Sequence, residues 1–163
     1  MSTSDLVIRP ARTGEAAILT ELCIRSKAHW GYDSAFMTAA TRLLQIPEAE
    51  IEAGGVLAAM VGQEPCGVAA IVPLRRKSWV ELSHLFVAPD HLRRGVGRAL
   101  FDAAMALASD RGASRVSILS DPYAAVFYER LGARRCGQAP SGVRSGRMLP
   151  LFQFSLARHS AAD

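Results

Sequence analysis

The chain has 163 residues, half of them hydrophobic and 21% charged, with a formal net charge of +4; this suits a single globular domain over residues 1–163, and no apolar run nears the roughly 20 residues a membrane helix needs. The three cysteines, Cys23, Cys66 and Cys136, have neither metal nor CxxC spacing, and residues 1–5 lack the charged and apolar regions of a signal peptide, so a reduced, cytoplasmic protein without a metal site is expected. The positive residues are mostly arginine and are scattered, which suits an anionic cofactor as well as nucleic acid, but no nucleic-acid reader motif accompanies them.

Residues 6–9 read as a short strand closed by Pro10. Thr13 is placed to cap a helix with Glu15 in its first turn and Ile18, Leu19 and Leu22 on one face. Gly31 breaks that helix among His29, Trp30 and Tyr32. A second helix is expected over 34–44, and 47–55 is a connection with room for one helical turn. Residues 56–61 and 68–74 form two strands joined through 63–67, and the basic turn 75–78 leads to a third strand, 79–87. Simple alternation puts Glu81, Ser83, Leu85 and Val87 on one face of it. Glu81 is the only acid there, and a carboxylate on a mostly apolar strand should have a reason to be there. His84 is its rival as a base, since imidazole titrates near neutrality, and a bulge would change which residues face together.

The strand runs through Pro89 into Arg93-Arg94-Gly95-Val96-Gly97-Arg98 and a helix over 92–111. The two glycines permit positive φ and a close approach of backbone to ligand. The first amides of a helix have no intrahelical acceptor, and the dipole and three arginines add positive charge, so this turn is built for phosphate. It is not a dinucleotide fingerprint, because Leu100 holds the third-glycine position, and it lacks the Gly-Lys-Ser/Thr of a Walker loop. Leu100, Phe101, Ala104, Leu107 and Ala108 give the helix an apolar face, and Gly112 is placed to cap it. Residues 114–119 then read as a strand, which makes a right-handed parallel crossover.

In residues 121–132, DPYAAVFYERLG, Pro122 suits a first helical turn and Gly132 a C-terminal cap, with Phe127 and Leu131 on one face. Residues 134–138 read as a strand, 139–146 as a Pro/Gly/Ser loop, and 148–156 as a last strand, with a tail expected to fray from His159. Arg144 and Arg147 at that loop are either solvated or placed to read an acidic acceptor.

Two of these stretches resemble the GNAT superfamily, the Gcn5-related N-acetyltransferases. The turn with Gly95 and Gly97 resembles its motif A, Gln/Arg-x-x-Gly-x-Gly/Ala, and departs from it at Leu92. Residues 121–132 resemble motif B through Ala124, Phe127, Tyr128, Glu129, Leu131 and Gly132, and depart at Asp121, where the family prefers Asn; the following Ala133 stands where it prefers Phe. The resemblance covers residues 79–133 and implies an α/β (α+β) fold. Its mixed central sheet of six to seven strands would be mostly antiparallel, with flanking helices and a splayed parallel pair. It implies transfer of an acetyl group from acetyl-coenzyme A directly to a primary amine, on a small molecule or peptide, without nucleic acid or membrane. Homodimers are common in the family.

The resemblance also implies roles. Glu81 is the base, directly or through water. Tyr128 is the acid that protonates the departing thiolate, and it borders the cofactor. Leu85, Phe86 and Val87 line the pantetheine arm, with an amide near Val87 for the thioester oxygen. Arg93, Arg94, Gly95, Val96, Gly97 and Arg98 hold the pyrophosphate. Asp121 meets the pantetheine, and Trp30 and Tyr32 wall the acceptor. Leu92 and Asp121 keep one alternative open: a non-catalytic acyl-coenzyme A-binding module or sensor on the same fold.

Overall fold

Two apolar runs, Val56-Leu57-Ala58-Ala59 and Val68-Ala69-Ala70-Ile71, are buried on both of their faces. Strands of that kind need cover above and below. They belong to β2 (Val56–Val61) and β3 (Glu64–Pro73), at the heart of a seven-stranded sheet. The structure, a computed structural model, describes residues 5–157; residues 1–4 and the tail from 158, including His159, lie outside the described residues. The remaining strands are β1 (Leu6–Pro10), β4 (Trp79–Val87), β5 (Arg115–Leu119), β6 (Arg134–Pro140) and β7 (Met148–Ser155), in the order β1-β2-β3-β4-β5-β7-β6. Every neighbouring pair is antiparallel except β4 and β5. The mixed sheet with one parallel pair is the architecture expected from the sequence.

One face is covered by α4 (Val96–Asp110), whose Val96, Leu100, Phe101, Ala104, Met105 and Ala108 are buried at three- and four-residue spacings. The other is covered by α1 (Ala16–Ala28) and α2 (Ser34–Leu44), which contribute Leu19, Leu22, Cys23, Phe36, Ala40 and Leu44. The short α3 (Glu48–Glu52) joins them to β2. On β3, a Cβ at Gly67 would lie 2.6 Å from Leu100 Cδ1 and 3.2 Å from the Phe86 carbonyl oxygen. Leu100 is fully buried and cannot swing away. Gly67→Ala is therefore expected to cost about 1–3 kcal/mol, the range for overpacking a dense core, and to lower the Tm in thermal unfolding.

The parallel pair is short. Trp79, Val80 and Glu81 pair with Arg115, Val116 and Ser117, and then β4 and β5 part. Beyond this point β5 continues only with β7, through Ile118–Phe152 and Leu119–Leu151. From Leu82 to Val87, β4 keeps β3 on one side and, among the described residues, has no strand on the other. The splay leaves a row of backbone donors and acceptors open inside the sheet.

Several local expectations are corrected. The N-cap of α1 is Glu15, not Thr13; the Glu15 carboxylate accepts from the Arg12 amide at 3.0 Å and from Arg9 Nη1 at 3.0 Å. β3 starts at Glu64, because Gly62 at φ 61° already turns the chain. α4 starts at Val96, since the chain must first pass the turn after β4. The facing of β4 also differs from simple alternation. Ala70 pairs with His84 and Ile71 with Leu82, so Ser83 is bulged out of the ladder. Val80, Leu82, Leu85 and Val87 therefore pack toward α4, and Phe86 packs toward α1 and α2. Glu81 and His84 share the Phe86 face.

Candidate active site

The turn after β4 is built around positive φ. Arg93 sits at 62° and Gly95 at 80°. Arginine in the left-handed region is strained, a cost usually found where a loop's shape serves a site. The first helical bond of α4 is Ala99 N–H to the Gly95 carbonyl at 3.1 Å, so the amides of Val96, Gly97 and Arg98 have no acceptor within the helix. Arg93, Arg94 and Arg98 are exposed, and among the described residues no carboxylate pairs with them. The result is an exposed nest of amides and guanidinium groups without a counter-anion of its own. Gly97 has a second job. A Cβ there would lie 3.4 Å from the Phe127 ring and 3.7 Å from Val87, so this turn, the end of β4 and α5 (Ala125–Arg130) come close together.

Tyr128 follows Phe127 and is 6% exposed. Its ring packs among Phe101, Phe127 and Phe152. Among the described residues no hydrogen bond engages its hydroxyl. Burial, and then the negative charge of Asp121, push its pKa well above the usual value for tyrosine. Tyr128 is held in its protonated form.

Glu81 is half-buried. Glu50 on α3 has its carboxyl pushed up by burial and by the charge of Glu81, and its Oε2 is buried without a partner among the described residues. His84 is 7% exposed. Its Nδ1 lies 3.0 Å from Ser83 Oγ, while Nε2 is buried and makes no bond of good geometry. Burial holds the imidazole below its ordinary pKa, against the opposing pull of the Leu44 and Gln45 carbonyls. His84 is thus a neutral core residue against the end of α2, and Glu81 is the more accessible of the two.

Asp121 stands where β5 ends and ties three elements together. Its Oδ2 accepts from Lys27 Nζ at 2.5 Å and from the Tyr32 hydroxyl at 2.7 Å. Its Oδ1 accepts from the Tyr123 amide at 3.0 Å. Burial would raise its pKa, but the bonds from Lys27, the Tyr123 amide and Tyr32 outweigh it and hold the carboxyl below its usual range. The Tyr32 hydroxyl, pushed up to about 12 chiefly by burial, donates to Asp121 and accepts from Arg147 Nη2 at 2.8 Å. Above this network Trp30 stacks on Tyr123 with ring centroids 5.1 Å apart, and Tyr32 stacks on Phe36 at 4.1 Å.

The sequence model of the acetyltransferase (GNAT) family matches residues 23–133, which is more than half of the chain. The chain belongs to the GNAT family of acetyltransferases. It is accordingly an acyltransferase. A GCN5-related N-acetyltransferase from Rhodopseudomonas palustris is similar to it at 25% identity and a TM-score of 0.71, over 96% of this chain and 99% of that one. YncA from Salmonella typhimurium, solved with its cofactor acetyl-CoA, is 24% identical with a TM-score of 0.69, over 98% of both chains. The PaiA N-acetyltransferase from Thermoplasma acidophilum, solved with coenzyme A, shares the fold at 16% identity and a TM-score of 0.74, over 95% and 99%. No curated protein sequence matches the chain significantly.

Within this GNAT domain the residues singled out in the sequence fall into two groups. Leu85, Phe86, Val87 and the turn from Arg93 to Arg98 lie along the open edge of β4 and the start of α4. Tyr32 and Asp121 meet directly and Trp30 joins them through Tyr123, forming a wall beyond the end of β5 that largely occupies the Asp121 carboxylate. Lys27, Phe36 and Tyr123 complete the wall and carry no motif of their own. Removing the shared anion should matter for stability. Asp121→Ala leaves Lys27 and Arg147 facing each other with their side chains only 14% and 19% exposed. A loss of about 2–4 kcal/mol is expected at pH 7, as for breaking a buried pair at one partner. Because the folded-state pKa is depressed, this contribution is present above the unfolded value near 3.9 and is lost as pH falls through the lower folded value. The stabilities of wild type and variant in denaturant unfolding should therefore begin to converge below about pH 4 and meet once the pH is below the folded value.

Proposed function

We propose that this GNAT domain, acting as one unit over residues 1–163, binds acetyl-coenzyme A in the splay and passes its acetyl group directly to a primary amine. The observation that carries this reading is the open edge of β4 running straight into the amide and arginine nest of the turn. An extended pantetheine arm suits such an edge, as an added strand does, with Leu85, Phe86 and Val87 beside it. The amides of Val96, Gly97 and Arg98, with Arg93, Arg94 and Arg98 around them, suit the pyrophosphate. YncA and PaiA were solved with acetyl-CoA and coenzyme A, which supports the same donor here.

The remaining steps fall to this chain's side chains. A protonated amine cannot attack, so Glu81 takes its proton, directly or through water. An amide near Val87 stabilises charge developing on the thioester oxygen. Tyr128 gives its proton to the departing sulfur. Trp30 and Tyr32 wall the acceptor. Cys23, Cys66 and Cys136 are unpaired, and direct attack needs none of them as an acyl carrier. Intact-protein mass spectrometry tests direct transfer. Incubation with acetyl-coenzyme A alone should leave the protein mass unchanged, and adding an amine should yield acetylated amine. An acetylated protein that hands its group to the amine would contradict direct attack.

A further inference from the structure

Three cations converge on the acceptor wall. Lys27 Nζ lies 5.2 Å from the Tyr32 ring centroid, and Arg147 lies 5.3 Å from Tyr32 and 5.0 Å from Phe36. Arg144 lies 5.4 Å from Phe36. Two carboxylates oppose them. Asp121 is taken by Lys27, and the exposed Asp33 lies 3.5 Å from Arg144. Arg147 is only loosely paired. It stands 4.0 Å from the Asp121 carboxylate that Lys27 already holds, a long ion pair beyond hydrogen-bond reach, and among the described residues its one side-chain hydrogen bond goes to the neutral Tyr32 hydroxyl. A guanidinium has five N–H donors, and one hydrogen bond with one long, shared ion pair leaves it poorly satisfied.

Arg147 is not a waving surface arm. It ends the β6–β7 hairpin loop, which is closed by a 2.7 Å bond from the Ser141 amide to the Arg147 carbonyl. That loop is seated on α2: a Cβ at Gly142 would lie 2.8 Å from Leu43, and Val143 packs on the core beneath α1 and α2. Tyr32 fixes one edge of the guanidinium but brings it no negative charge. The wall is also within electrostatic reach of the catalytic acid, since the Asp121 charge is felt at Tyr128.

We propose that Arg147 receives a carboxylate on the acceptor, so that the amine acetylated here is one that carries a carboxylate, as in a free amino acid or an acidic peptide. This rests on the acetyltransferase reading and adds the acceptor class to it. Arg144 lies beside Arg147 over Phe36 and adds long-range attraction. Lys27 is spent on Asp121 and holds the wall in place.

The test uses acceptor pairs that differ only in charge: amino acids against their amides, and Glu-containing against Gln-containing peptides. Wild type should favour the carboxylate member about 10- to 100-fold in kcat/KM, mainly through KM, the range for a hydrogen bond to a charged group. Preference confined to free amino acids or to acidic peptides identifies the source of the carboxylate. Arg147→Gln should abolish the preference, raising KM for the carboxylate member far more than for its amide, with acetyl-coenzyme A affinity intact. Calorimetric binding of N-acetylated amino acids and their amides to coenzyme A-loaded protein should show the same preference without depending on turnover. Amides handled as well as acids in both measurements, or an Arg147→Gln variant that weakens both members alike, would overturn the proposal. Unselective acetylation of the amides would leave acetyl transfer standing, whereas failure to bind acetyl-coenzyme A would remove the functional reading itself.

Discussion

Replacing Glu81 by Gln should lower kcat/KM for acetyl transfer at pH 7 by about 100- to 10,000-fold, the range for losing a positioned general base. An alkylamine with a pKa near 10.4 is neutral in only about one part in 10³ at that pH, and only the neutral form attacks. The half-buried Glu81 lies opposite Val80 and Leu82, and the bulge at Ser83 brings Phe86 onto its face, the side of α1 and α2 where the acceptor is proposed to sit. Gln keeps the shape and loses the proton acceptor. The deficit should shrink as pH rises toward the pKa of the amine, because the neutral fraction grows about tenfold per pH unit until then. Folding should not suffer. Glu50 is pushed up partly by the charge of Glu81, so the substitution relieves repulsion between two carboxylates. Steady-state kinetics over pH 6–10 and a thermal melt check both points; an unchanged rate at pH 7 would exclude Glu81 as the base.

Tyr128→Phe should lower kcat by at least about 100-fold, the lower end for removing a general acid, with acetyl-coenzyme A affinity unchanged. The ring stays in its aromatic nest, and the lost hydroxyl has no protein partner among the described residues, so the Tm should hold. The elevated pKa of Tyr128 bears on the step in two ways. It keeps the proton in place throughout the working pH range, so no loss of activity from tyrosinate formation is expected below about pH 10. It also makes the proton harder to give up. In the proposed transfer the thiolate would leave beside this buried ring, where burial raises its proton affinity as well, which narrows the gap. Rapid mixing with separate binding and turnover readouts distinguishes these roles; full turnover by Tyr128→Phe would assign the proton to water.

The parts of the site legible in the sequence are local ones. The strand, the turn with Gly95 and Gly97, and the helix behind it sit within one short window, and their roles follow from backbone chemistry. Tyr128 stands out through the motif run around it, and its role as the acid comes from the family resemblance alone. The facing of Glu81 was not. It depends on how β4 pairs with β3, and the bulge at Ser83 appears only in that pairing. The wall of Trp30, Tyr32, Tyr123 and Asp121 was legible only in fragments. Lys27 reaches Asp121 across 94 residues, and Arg147 reaches Tyr32 across 115. Taken singly, Lys27 looks like a basic residue in the last turn of a helix, and Arg147 like a solvated loop arginine. The carboxylate at position 121, a departure from the family pattern, gains its physical reason once Lys27 and Tyr32 are seen to close on it.

The most direct measurement is release of free thiol from acetyl-coenzyme A by the wild-type protein, followed across a set of amines with the acetylated product identified in parallel. Release that depends on the amine and matches product one for one is the expected result. Tight binding of acetyl-coenzyme A with no amine-dependent release from any member of the set would contradict an N-acetyltransferase working in this splay.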